Sequence, residues 1–345
     1  MLPALGLLAV LLLVEPILVS TANVWNDIRL APVAALLRGY DTYYLPGEGP
    51  MLGHIYGPVA PFAYLPALLW STPAAAIRAG IVLTLCWLTL PVVMMIRDRA
   101  GQRPVLAIGC LVLFMFLLHA PVVHLVAFGI HSDTPAVALA GLACFCLTDQ
   151  KRRTQTGLRF VRLTVIVGIA AVTVVALTVD VPAMLYQALV IPSEHGWRYN
   201  DVTVVFVHTI RDLVPRIFLF AAVVGTYGLL QLGRVRKWSD VTRWAYENPW
   251  LVPVFVGIFC VPTSMLGRMK QGGSMNSLIF TTYPLLVGSL LAVLHAGSQK
   301  TGSGRQISGR AVTALLTATP SPSWRSASYE NTQARCTCHT IHSSR

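Results

Sequence analysis

Charge is the scarcest resource in this sequence. Of 345 residues only 12% are Asp, Glu, Lys or Arg, about half the share of a soluble domain. With 55% hydrophobic residues and a mean hydropathy of +0.64, that scarcity excludes an ordinary water-soluble globule and points to a bilayer. No Rossmann-type or P-loop glycine signature is present, which removes the usual case for a nucleotide. A disulfide framework is missing as well. Cys86, Cys110, Cys144, Cys146 and Cys260 lie inside apolar runs and read as small buried hydrophobes, while Cys336-Thr-Cys338-His339 is too short and solitary for a metal site. The opening residues, "MLPALGLLAVLLLVEPILVSTA", lack the basic stretch of a cleaved signal and are expected to remain as a membrane helix. Glu15 within it either faces the bundle interior or marks where the helix leaves the hydrocarbon.

What the chain has is long apolar runs. Stretches able to cross about 30 Å of hydrocarbon fall near 2–22, 74–96, 104–126, 130–148, 163–180, 214–233, 248–266 and 277–296. They predict an all-α polytopic membrane protein with about eight transmembrane helices. The net charge of +12 is a topology signal and not a nucleic-acid footprint. Loops 97–103, 149–163 and 234–247 hold twelve Lys or Arg, against six in the longer loops 23–57, 119–133, 181–213 and 267–276. The first set is therefore expected on the cytoplasmic side. Eight of the fourteen acids, Asp27, Asp41, Glu48, Asp133, Asp180, Glu194, Asp201 and Asp212, then fall on the opposite side with His54, His119, His124, His131, His195 and His208. Chemistry facing outward is what this distribution predicts. Residues 1–296 read as one transmembrane domain, and 297–345, rich in Ser, Thr, Gly and Arg, as a disordered or aberrant tail.

The first external loop is the most informative. Residues 26–39 predict a short juxtamembrane helix, with Asn26 as cap, Asp27 at the positive end and Gly39 at the stop. Ile28, Leu30, Ala34 and Leu37 are expected against lipid headgroups, with Arg29 and Arg38 in water. Tyr40, Tyr43 and Tyr44 suit an interfacial belt, and "LPGEGP" a turn.

Three motifs, "NDIRLAPVAALLRGYDTYY…YGPVAPFAYLP", "HSDTPAVALAGLA" and "GRMKQGGSMNS", taken in order and on one side of the membrane, resemble the GT-C superfamily of membrane glycosyltransferases. The closer likeness is to the bacterial branch related to the protein mannosyltransferases, over residues 2–296. The resemblance implies transfer of a sugar from a polyprenyl-phosphate donor to a hydroxyl of a lipid, glycan or protein outside the cytoplasm, with inversion. It implies residence in the bacterial inner (cytoplasmic) membrane with the active-site loops extracytoplasmic. Such chemistry needs a carboxylate to take the acceptor's proton and cations or amides to hold the phosphate.

The resemblance assigns the base to Asp27, with Asp41 and Glu48 as substitutes. The plainer reading makes Asp27 a helix-start acid and the other two solvated turn acids. His131 and Asp133 are candidates to line the site, and with His54 they could hold a divalent cation; Asp133 equally suits a plain cap ahead of Pro135. Arg268 and Lys270, before Gly272-Gly273 and Asn276, are candidates for the donor phosphate, or else snorkel at a helix end. A transporter or flippase is the rival reading. It calls for charges at mid-membrane and for repeated halves, whereas here the acids gather at one mouth. A truncated, inactive transferase is a third.

Overall fold

The computed structural model describes residues 2–19, 24–49, 62–100, 104–119, 121–148, 179–194, 196–197, 237–248, 250–270 and 275–298, with scattered positions between 162 and 211. His54, the 214–233 run and the tail lie outside the described residues. Among the described residues the chain is helical and forms no strand. In chain order the helices are α1 (Leu2–Val19), α2 (Val24–Leu37), α3 (Pro73–Ala100), α4 (Pro104–Leu117), α5 (Pro121–Ala127) and α6 (Asp133–Thr148). Val181–Leu185 continues through a π-helical turn, Tyr186–Val190, into Ile191–Glu194, and the three pieces make up α7. Then follow α8 (Trp238–Glu247), α9 (Leu251–Phe259), α10 (Val261–Met269) and α11 (Ile279–Ser298). Single 3-10 turns occupy Leu65–Leu69 and Met275–Leu278.

Three of these stretches, Pro73–Arg97, Leu251–Met269 and Asn276–His295, are long and apolar enough to cross a membrane. Shorter apolar helices cover Gly6–Val19, Val105–Leu117 and Asp133–Cys144. Two expected spans are interrupted. The 104–126 run breaks between α4 and α5 because Pro121 has no N–H to donate and restricts the residue before it. The 248–266 run bends at Cys260, just ahead of Pro262, and its second half reaches Met269, so Arg268 sits inside a helix and not in a loop.

The core forms where α3, α6, α9 and α11 pack together. Small residues set the spacing, as expected of helices that meet without water to drive them together. A side chain at Gly257 of α9 would stand 2.7 Å from Leu285, and one at Gly288 of α11 would stand 2.6 Å from Val254. The two helices therefore approach through a glycine on each. Tyr283 of α11, fully buried, donates its hydroxyl to Leu88 O at 2.7 Å, next to Pro91 of α3. That bond satisfies a carbonyl in the turn the proline disturbs.

The α2 helix begins two residues earlier than expected, so Asn26 lies in its first turn and is not its cap. Its end matches the expectation. Gly39 has φ +76°, Gly39 N donates to Leu36 O at 3.1 Å and Tyr40 N to Ala35 O at 3.0 Å, the paired bonds of a left-handed C-terminal cap. In "LPGE", Glu48 N donates to Leu45 O at 3.1 Å across Pro46 and Gly47, whose φ is +85°. This is a type II turn, with proline and glycine at the positions it requires.

Candidate functional site

Between α5 and α6 the chain leaves helical geometry for residues 128–132 while staying buried. Backbone polar groups in such a place need partners, and side chains from three other segments supply them. Ile130 N donates to Asn26 Oδ1 at 2.8 Å, and Ile130 O accepts from Arg29 Nη1 at 2.7 Å. One residue's amide and carbonyl are thus held by two side chains spaced i, i+3 on α2. Tyr64 donates to His131 O at 2.8 Å, and Thr84 of α3 to Gly129 O at 3.0 Å. Thr84 also lies 3.2 Å from Gly80 O and 3.1 Å from the Tyr64 hydroxyl, so its single proton is shared among acceptors.

The inward face of α2 explains this placement. Asn26, Leu30 and Val33 follow the i, i+4, i+7 stripe and are all buried, with Arg29 half-buried beside them. The expectation that Arg29 stays in water is therefore corrected: its guanidinium is drawn inward by the Ile130 carbonyl. Of the four residues expected to meet headgroups, Leu30 is buried, while Ile28 and Leu37 are exposed.

His131, only 6% exposed, closes the cage. Its Nε2 lies 3.1 Å from Arg29 Nη1 and 3.1 Å from Leu125 O. Arg29 can only donate and the carbonyl only accept, so a given tautomer bonds one of them and not both. Burial first, and the guanidinium second, push the imidazole's pKa down to about 3. The ring is neutral at ordinary pH. A guanidinium at that distance also stands where a divalent cation bound to Nε2 would sit. Among the described residues, no three His, Cys, Asp or Glu side chains are grouped to hold a metal.

Asp133 opens α6 half-buried; burial disfavours its charged form, and the Arg29 guanidinium partly offsets that. The other acids singled out in the sequence differ: Asp27 is exposed on the outer side of α2, and Asp41 and Glu48 are exposed on the loop that follows. Arg268 is buried near the end of α10, and Asn276 is half-buried on the 3-10 turn before α11. Lys270 is engaged from α7 onward: its Nζ donates to Pro192 O at 3.2 Å and stands 4.6 Å from the Trp197 ring centroid. A backbone bridge pairs Trp197 with Lys270. Gln187, 2% exposed in the π-helical turn of α7, donates to Tyr44 O at 2.9 Å.

The contacts form a chain of segments. The first loop meets the 128–133 turn through Asn26 and Arg29, and it meets α7 through Gln187. The α7 segment meets Lys270, and α5 packs against Met275–Leu278. Sequence reasoning passed over Asn26 as a clamp, and over Tyr64, Thr84 and Gln187 altogether. The available signal was Asn26 in register with Leu30 and Val33: a polar residue on an apolar stripe calls for a buried partner. No family model, curated protein or solved structure matches the chain.

Proposed function

We propose that the protein is an integral membrane glycosyltransferase of about eight spans, moving a sugar from a polyprenyl-phosphate donor to a hydroxyl acceptor on the extracytoplasmic face. One observation carries the reading. The four segments that charge counting assigns to one side of the membrane, 23–57, 119–133, 181–213 and 267–276, have described portions that touch one another in sequence of contacts. Contacts among these segments support a common mouth for their acids and cations, as displacement at a sugar-phosphate bond requires. Arg268 and Lys270 are the groups suited to the donor phosphate, with Asn276 nearby in sequence. Asp27 holds the base's role by resemblance, with Asp41 and Glu48 as its substitutes, and His131 and Asp133 belong to the lining.

The test is to incubate membranes containing the protein with a panel of labelled polyprenyl-phosphate sugars and follow the label to a lipid, glycan or protein. Transfer that weakens in apparent donor affinity when Arg268→Ala and Lys270→Ala are combined supports the reading. Label that crosses the membrane without changing covalent partner favours a flippase instead.

A further inference from the structure

We propose that His119 and His124 form a binding site for a soft monovalent metal ion, copper(I), at the break between α4 and α5. The site stands apart from the transferase reading and uses none of its residues. Its first support is geometric. The two histidines lie in "HAPVVH", five positions apart, within the H-x3–5-H spacing of paired imidazole ligands. On one unbroken helix such residues point about 140° apart. Here α4 ends at Leu117 and α5 begins at Pro121, and across that break the ring centroids come to 5.7 Å. Two imidazoles held about 2.0–2.1 Å from one ion have centroids roughly 5–6 Å apart.

The second support is an unmet need. Among the described residues, His119 Nε2 and His124 Nδ1 are both shut off from solvent with no hydrogen-bond partner. Two buried polar atoms on neighbouring rings call for a partner in common. Phe128, itself buried, stands 5.1 Å from the His119 ring and 4.7 Å from the His124 ring, and gives the pair an apolar wall.

Ligand number and charge select the ion. Imidazole suits zinc, copper, iron and nickel. Zinc takes four ligands, and among the described residues no third His, Cys, Asp or Glu is grouped with this pair. Copper(I) is satisfied by two nitrogens in a near-linear arrangement. Charge balance agrees. Glu15, exposed on α1, acts electrostatically on His119, and α1 packs against α4. One carboxylate offsets one positive charge held between neutral rings, whereas a divalent ion leaves a charge uncompensated in hydrocarbon. The same ion gives Glu15 a counter-charge at membrane depth. Bound, it ties His119 to α5, and α5 leads directly into the buried 128–132 turn.

The experiment titrates the purified full chain in detergent micelles with copper(I), anaerobically, against a chromophoric chelator. Thiols are first blocked with N-ethylmaleimide, because cysteines also take copper(I). His119→Gln and His124→Gln are each expected to bind one equivalent fewer than the wild type. Glu15→Gln is expected to hold that equivalent about 10–100-fold more weakly, as when a metal ligand loses its outer partner. Zinc(II) at equal concentration should leave the copper in place. Should the histidine variants fail to fold, X-ray absorption on the wild type at one equivalent carries the test: two nitrogen neighbours and no sulfur are expected. Unchanged stoichiometry in either histidine variant, sulfur in the copper shell, displacement by zinc(II), or unaltered affinity in Glu15→Gln overturns the assignment. None of these results touches the sugar-transfer test, and a failure of transfer leaves the copper site standing.

Discussion

The clamp on Ile130 makes a prediction whose size follows from its geometry. Asn26→Ala removes the acceptor for a buried amide and leaves it without water or partner, at a cost of about 1–3 kcal/mol. Arg29→Met removes a charge-assisted donor to Ile130 O and is worth about 1.5–3 kcal/mol. Both side chains hold one residue, so the double variant should fall short of additivity by about 0.5–3 kcal/mol, the usual coupling between groups that share a partner. A loss of 1–2 kcal/mol raises the unfolding constant roughly 5–30-fold. Reversible unfolding in mixed micelles, followed by far-UV circular dichroism as the SDS fraction rises, measures these values. Amide exchange at Ile130 reports the local effect. Single variants within about 0.5 kcal/mol of the wild type, the range of a neutral surface change, with Ile130 still protected, would refute the clamp.

Other expectations follow from other parts of the molecule. Gly288→Val, forced against Val254 of α9, should destabilise by about 1–3 kcal/mol through overpacking, read as an earlier SDS midpoint. His131 has its folded pKa depressed to about 3, so the unfolded chain binds the proton first. Stability is fully present above pH about 6.5 and falls as pH drops toward 3, by roughly 2 kcal/mol at pH 5; His131→Gln should flatten that slope in unfolding titrations. Among the described residues, His119 Nε2 and His124 Nδ1 are buried without hydrogen-bond partners around Phe128. His124→Phe should therefore be neutral or stabilising, within about 1 kcal/mol, and a large loss would reveal a partner. Trp197→Ala removes the ring under Lys270 and should loosen the 192–197 stretch, seen as faster limited proteolysis.

Much of the architecture was legible because lipid imposes simple rules. Apolar length marked α3 and α11, and the glycine after Arg38 marked the end of α2, where a left-handed residue is needed. Composition could not show that Pro121 and Pro262 break or bend their runs, since a proline in an apolar stretch is compatible with either outcome. The buried turn at 128–132 was legible only in part: His131 drew notice, while the side chains that hold the turn did not. Asp27 stood out through its place in the loop, yet α2 turns Asn26, Leu30 and Val33 inward and leaves Asp27 in solvent. Arg29 read as a wet cation because its partner, a backbone carbonyl 101 residues away, carries no side-chain signal. Tyr64 and Gln187 likewise bond to backbone atoms, and residue identity says nothing about such acceptors.

Sidedness is the claim on which the function rests, and labelling tests it most directly. Glu48→Cys, Lys270→Cys and Arg153→Cys would each be treated in intact cells with a membrane-impermeant thiol reagent and compared with the parent chain. The account predicts that the first two are modified from outside and Arg153→Cys only after the membrane is opened. Modification of Glu48→Cys and Lys270→Cys from opposite faces would contradict it.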